Sequence, residues 1–156
     1  MGYFKNPKET DNIIKVHADG KKWIHTGDLG SVNQDGFLRF QGRIKKIYLT
    51  KGSDNSVYKL FPMQIENELE KIEDILECGT IVVPDQEKIH VAIAFVRVKV
   101  GLEKETVRGK ILEFARAHLP EHAVPQKIVL IEKMTYTQSN KIDYKKLEEK
   151  YRKENR

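Results

Sequence analysis

The sequence predicts an α+β fold: a small mixed sheet covered by helices, preceded by a β-hairpin. Three observations lead there. Residues Ile89 to Val98 form a ten-residue, mostly apolar run, long enough for one strand in the middle of a sheet. Helical spacing of apolar residues recurs three times, after Pro62, after Glu103 and after Asp143. The hairpin signals lie apart from these, toward the amino end, and such alternation with segregated hairpins fits an α+β domain.

The elements follow in order. A short polar helix is expected over Lys8 to Lys15, after Pro7, with Ile13 and Ile14 as its apolar contacts. Trp23-Ile24-His25 reads as a strand. Leu29 to Val32 and Phe37 to Gln41 flank Asn33-Gln34-Asp35-Gly36, and an Asp-Gly pair at the tip is a hairpin signal. At Gly42-Arg43-Ile44-Lys45-Lys46 the composition turns compact and basic. We place a domain boundary there, giving residues 1–42 and 43–156.

Ile47 to Thr50 and Val57 to Leu60 are strands around a polar turn, Lys51 to Ser56. Pro62 opens a helix carrying Ile65, Leu69 and Ile72. Proline at the first helical position wastes no hydrogen bond, and Glu66 and Glu68 suit the early turns. Gly79 to Val83 is a strand ended by Pro84-Asp85. Glu103 to Leu119 is the longest helix, with Val107, Ile111, Phe114, Ala115 and His118 on one face. Lys127 to Ile131 is a last strand, followed by a turn over Thr137 to Lys141. Asp143 caps a final helix in which Tyr144, Leu147 and Tyr151 share a face.

Composition narrows the function. The 156 residues are 39% hydrophobic and 33% charged, with a net charge of +5 and a pI near 9.2. The basic excess does not read as a nucleic-acid patch. In Lys145-Lys146-Leu147-Glu148-Glu149-Lys150 the lysines alternate with glutamates, as on a solvated helix. No apolar run is long enough to span a membrane, and the first residues lack a signal-peptide core. The single cysteine, Cys78, sits in an apolar run and reads as a small buried residue, which points to a reducing cytoplasm. His118 and His122 are four apart, but Pro120 breaks the helix between them, so no metal site is expected. His25 is expected to pack rather than act as a base.

Three motifs carry the chemistry: Thr26-Gly27-Asp28, then Gly42-Arg43-Ile44-Lys45-Lys46-Ile47, then Thr137-Gln138-Ser139-Asn140-Lys141-Ile142-Asp143. Each is weak alone. In this order and spacing the chain resembles, over almost its whole length, the C-terminal part of the adenylate-forming enzymes: acyl-CoA synthetases, luciferases and adenylation domains. The resemblance implies that residues 1–42 are the tail of the large AMP-binding domain and 43–156 the mobile C-terminal lid.

It also implies roles. Asp28 would accept two hydrogen bonds from the nucleotide's ribose hydroxyls, and Arg43 would contact the same ribose with its planar fork of donors. Lys45 would be the hinge about which the lid turns. Lys46 is expected to be solvated. Gly52, in the hairpin from Ile47 to Leu60, would let a pantetheine chain pass closely, although Ser53 to Leu60 makes the link to Pro62 longer than the family pattern. Lys141 would stabilise charge as a carboxylate attacks the α-phosphate. Asn140 stands where the family has glycine, and asparagine tolerates left-handed angles. The proline usual before this turn is absent.

The implied function is therefore an acid–thiol ligase of the acyl-CoA synthetase type. Such an enzyme uses ATP with Mg2+ to form an acyl-adenylate from a carboxylic acid and passes the acyl group to CoA, as in fatty acid metabolism. The acid is not legible, since its pocket would lie in the large domain. An adenylation domain loading a carrier protein differs only in the thiol acceptor. The rival of another class is a free-standing, non-catalytic interaction module derived from the lid. No phosphate-cradling glycine loop occurs in the chain, so by itself it is expected to be inactive.

Overall fold

The computed structural model describes residues 2–155. The chain divides between Lys45 and Lys46 into two compact units. The division falls three residues beyond the expected 42/43 boundary, because Gly42 and Arg43 remain in a strand paired with Asp28 and Leu29.

The first unit is built from a helix and two hairpins. Helix α1 (Pro7–Ile13) has Pro7 in its first turn and Asn6 as cap, whose side chain accepts from the Glu9 amide. It ends two residues early, because Ile14 and Lys15 enter strand β1 (Ile14–Val16), which pairs antiparallel with β2 (Lys22–Ile24). Strands β3 (Asp28–Val32) and β4 (Leu38–Arg43) form the expected hairpin, with Gly36 at φ +85 and a bulge between Leu29 and Gly30. Two-stranded hairpins cannot enclose a core. Among the described residues of this unit only Gly42 is fully buried, and Phe4, Trp23, Phe37, Leu38 and Phe40 are exposed.

The second unit holds the core. Strands β5 (Tyr48–Lys51) and β6 (Val57–Leu60) make an antiparallel pair. A three-stranded sheet runs β7 (Ile75–Asp85), β8 (Ile89–Val98), β9 (Lys127–Leu130), antiparallel then parallel, which is the mixed sheet expected. The apolar run from Ile89 is the central strand. Alternation sorts its side chains onto two faces. Ala92, Ala94 and Val96 join a core with Leu60, Ile65, Leu69, Val107, Ile111 and Ala115 of α2 (Pro62–Leu69) and α3 (Lys104–His118). Val91, Ile93 and Phe95 join Met134 and Leu147, the latter from α4 (Tyr144–Glu154). Helices therefore cover both faces.

Three details depart from expectation. β7 begins at Ile75, four residues before Gly79, since Ile75 to Cys78 continue the ladder with β8. Ile72 lies beyond the end of α2 yet still packs on the core. His118 is exposed on α3, where its ring stacks on Phe114 and its Nδ1 lies 2.9 Å from the Phe114 carbonyl oxygen. The caps behave as read: Asp143 accepts from the Lys146 amide at the start of α4.

Candidate functional site

Asp28 is the first residue of one hairpin and Arg43 its last, and the ladder sets them face to face as Cα partners at its open end. Arg43 Nε lies 2.8 Å from Asp28 Oδ1, and Arg43 Nη1 donates to the Thr26 carbonyl at 2.9 Å. Gly27, at φ +75, reverses the chain before Asp28, and its carbonyl accepts from the Ile44 amide at 2.9 Å. Thr26 Oγ1 accepts from the Asp28 amide. With side-chain exposures of 59% and 34%, the pair lies at the surface and contributes little stability. Its effect is orientation. Asp28 keeps Oδ2 as an acceptor, and Arg43 keeps N–H donors beyond those used on Asp28 and Thr26.

His25 does not pack as expected. It lies on the exposed face of β2's end, with its Nε2 2.8 Å from Nε2 of His17, because an isolated hairpin offers no interior to bury it.

Lys45 lies exposed in a 3-10 turn, Ile44–Lys46. Lys46, expected to be merely solvated, has a partner: its Nζ sits 3.7 Å from the centroid of the Tyr144 ring.

Gly52 follows β5 at a compact turn. Its amide donates to the Ser56 carbonyl at 2.9 Å, and Asn55 adopts φ +65. A side chain at 52 would meet Tyr58 Cε2 at 2.7 Å and Asp54 Oδ1 at 2.8 Å. The extra length of this segment is tied down. Tyr58 donates to Asp54 at 2.6 Å and stacks on His122 with centroids 4.3 Å apart, while Ser53 Oγ donates to Glu121 at 2.8 Å. The Tyr58 phenol, with the Ser56 amide, holds the Asp54 carboxyl below its ordinary range.

Lys141 closes the turn that begins at Thr137. The Thr137 amide donates to the Lys141 carbonyl at 2.8 Å, and the Asn140 amide to the Thr137 carbonyl at 3.1 Å. Asn140 has φ +56, the left-handed angle that asparagine accepts in place of glycine. Tyr136 and Ile142 bridge at the base of the turn. The Lys141 side chain is exposed, and among the described residues its ammonium has no ion-pair partner. Gly52 and Lys141 stand on separate turns of the second unit.

A model of the AMP-binding enzyme C-terminal domain matches residues 64–141, half of the chain, and its match ends on Lys141. The chain belongs to this family. Among curated relatives it is 32% identical to 2-methylpropanoate–CoA ligase CCL4 of Humulus lupulus, over 91% of this chain and 24% of that one. It is 30% identical to D-alanine–D-alanyl carrier protein ligase of Lactococcus lactis, over 99% of this chain and 31% of that one. The chain thus spans about a quarter of the length of the curated relatives it matches. Among solved structures, an ATP-bound RpMatB-BxBclM chimera matches with a TM-score of 0.78 and 25% identity, covering 96% of this chain and 28% of that one. The fold is shared with amide bond synthetase McbA of Marinactinospora thermotolerans, at a TM-score of 0.78 and 24% identity over 95% of this chain and 28% of that one.

Within this AMP-binding C-terminal domain Glu66 does more than serve as a charge of the early turns of α2: it is 8% exposed, with Oε1 accepting from the Thr80 amide at 2.7 Å and Oε2 from the Tyr144 hydroxyl at 3.1 Å. Burial pushes its carboxyl up, against the lowering effect of these donors and of Lys46. The signal was available: positions 62, 65, 66 and 69 follow the spacing of a buried helix face. The same burial pushes the Cys78 thiol up, so Cys78 is an inert core residue.

Proposed function

We infer that this chain is the C-terminal part of an acyl-CoA synthetase-like ligase. In the first step a carboxylate oxygen attacks the α-phosphorus of ATP, forming acyl-adenylate and releasing pyrophosphate. In the second, the thiol of CoA attacks the acyl carbonyl and AMP leaves. The observation that carries this reading is Lys141: an exposed ammonium on a tightly bonded turn, where the family match ends.

Each expected residue receives a role. Lys141 faces the charge that develops at the α-phosphate. Asp28 takes the ribose diol and Arg43 fixes that carboxylate while donating to the sugar. Lys45 is the pivot between the two half-reactions, and Gly52 borders the path of the thiol arm. Mg2+ enters with the phosphates of ATP, as part of the substrate. The exposed aromatic residues of the first unit support its assignment to a larger AMP-binding domain. Among the described residues, no helix is long and apolar enough to cross a membrane.

A carrier-protein thiol in place of CoA is the second reading. The likeness to a D-alanyl carrier protein ligase over 99% of this chain favours it.

The test joins this chain to the large domain of a homologous ligase and measures ATP–pyrophosphate exchange and thioester formation. The joined protein is expected to perform both, with the chain alone performing neither. Exchange by the chain alone, or a correctly folded fusion without either activity, would contradict the proposal.

A further inference from the structure

The two feet of the Lys141 turn stand on one strand. Tyr136 and Ile142 bridge at its base. The Tyr136 hydroxyl donates to Glu77 Oε1, and the other oxygen of Glu77 pairs with Arg97. Ile142 lies over Gly79: a side chain added there would meet Ile142 Cγ2 at 3.2 Å and Leu147 Cδ1 at 3.1 Å. Glu77 and Gly79 are two apart on β7, so they present to the same face. Arg97 is the ladder partner of Glu77 on β8, which fixes the carboxylate across the strands.

We propose that Tyr136 is a positioning residue for Lys141, seated on the Glu77–Arg97 pair, with the bare backbone of Gly79 as the seat of the opposite foot. This rests on the reading of Lys141 given above. The geometry leaves the ammonium exposed while its backbone is held at both sides. Thr135 and Asp143 extend the hold, with the Asp143 amide donating to the Thr135 carbonyl at 2.8 Å. Burial pushes the Glu77 carboxyl up, but the Tyr136 phenol and the Arg97 guanidinium more than offset it, so Glu77 stays an anion able to accept. A turn held on one side alone would let the ammonium wander, and a misplacement of about 1 Å costs a reaction on the order of a hundredfold.

The first arm uses this chain and hydrogen exchange followed by NMR. Tyr136→Phe and Glu77→Ala are expected to speed exchange of the Thr137 and Asn140 amides about tenfold, with the β8 amides unchanged. Glu77→Gln keeps one acceptor oxygen for Tyr136 but loses the pair with Arg97, and is expected to fall between wild type and Tyr136→Phe. Unchanged turn exchange in Tyr136→Phe overturns the seat. The second arm uses the joined ligase. Tyr136→Phe is expected to lower kcat for adenylation about tenfold at nearly constant KM for ATP, with Glu77→Gln between it and wild type. If Lys141→Ala slows adenylation and Tyr136→Phe does not, the positioning role is overturned. If the turn loosens and neither variant slows adenylation, the seat stands and the reading of Lys141 fails.

Discussion

Asp28 and Arg43 face each other across the β3–β4 ladder, with Arg43 Nε 2.8 Å from Asp28 Oδ1. Two residues fifteen apart in sequence thus form one unit, which a carboxylate alone would not. In the joined ligase, Asp28→Ala removes the proposed ribose acceptor and is expected to lower kcat/KM for ATP by about ten- to a hundredfold, the worth of a charge-assisted hydrogen bond. Arg43→Lys keeps the charge and loses the fork, and a smaller loss in the same direction is expected. Thermal melting should move little in either variant, because the pair is at the surface. Steady-state kinetics in ATP settles it, and an Asp28→Ala enzyme with wild-type kcat/KM removes Asp28 from the nucleotide site.

Lys45→Pro is expected to leave adenylation intact and to stop thioester formation. Proline fixes φ, and the proposed pivot needs that angle to change. Lys45→Ala is the control: it loses the side chain and keeps the rotation, so both steps should continue. Stopped-flow measurement of each half-reaction separates the cases. Wild-type thioester formation in Lys45→Pro would move the pivot elsewhere.

Glu66 gives a pH dependence whose sign can be worked out. Burial raises its pKa in the folded state above that of the unfolded chain, where a glutamate ionises near ~4.3. A raised carboxyl favours folding fully below the unfolded pKa, and that contribution is lost as pH rises through the folded value. The stability of wild type relative to Glu66→Gln should therefore fall as pH rises above about 4.3. Urea denaturation of both proteins across pH 4 to 8 reads the difference. A flat difference would mean that the Thr80 and Tyr144 donors balance burial, and a rising one that they outweigh it.

Much of the second unit is legible because its periodicities are strong. The alternation in Ile89 to Val98 places one residue set against α2 and α3 and the other against α4, and such a strand has one way to sit. Asn140 was readable as a left-handed residue, since few side chains accept φ +56. The start of β7 was not, because Glu77 interrupts the apolar run and its partner, Arg97, is twenty residues away. The partners of Glu66 are not legible for the same reason: Tyr144, which supplies one of its hydrogen bonds, comes 78 residues later. The Lys46–Tyr144 contact and the Tyr136–Glu77 seat also join distant segments, and local patterns carry no record of them.

The proposed role of the Lys141 ammonium confines it to the α-phosphate in the first half-reaction, so Lys141→Ala in the joined ligase should separate the two steps when ATP–pyrophosphate exchange is measured beside thioester formation from preformed acyl-adenylate. Adenylation is expected to lose about 2.7–4 kcal/mol of transition-state stabilisation, on the order of a hundred- to a thousandfold in rate, while transfer stays near wild type. Equal losses in both half-reactions, or no loss in either, would remove Lys141 from the α-phosphate.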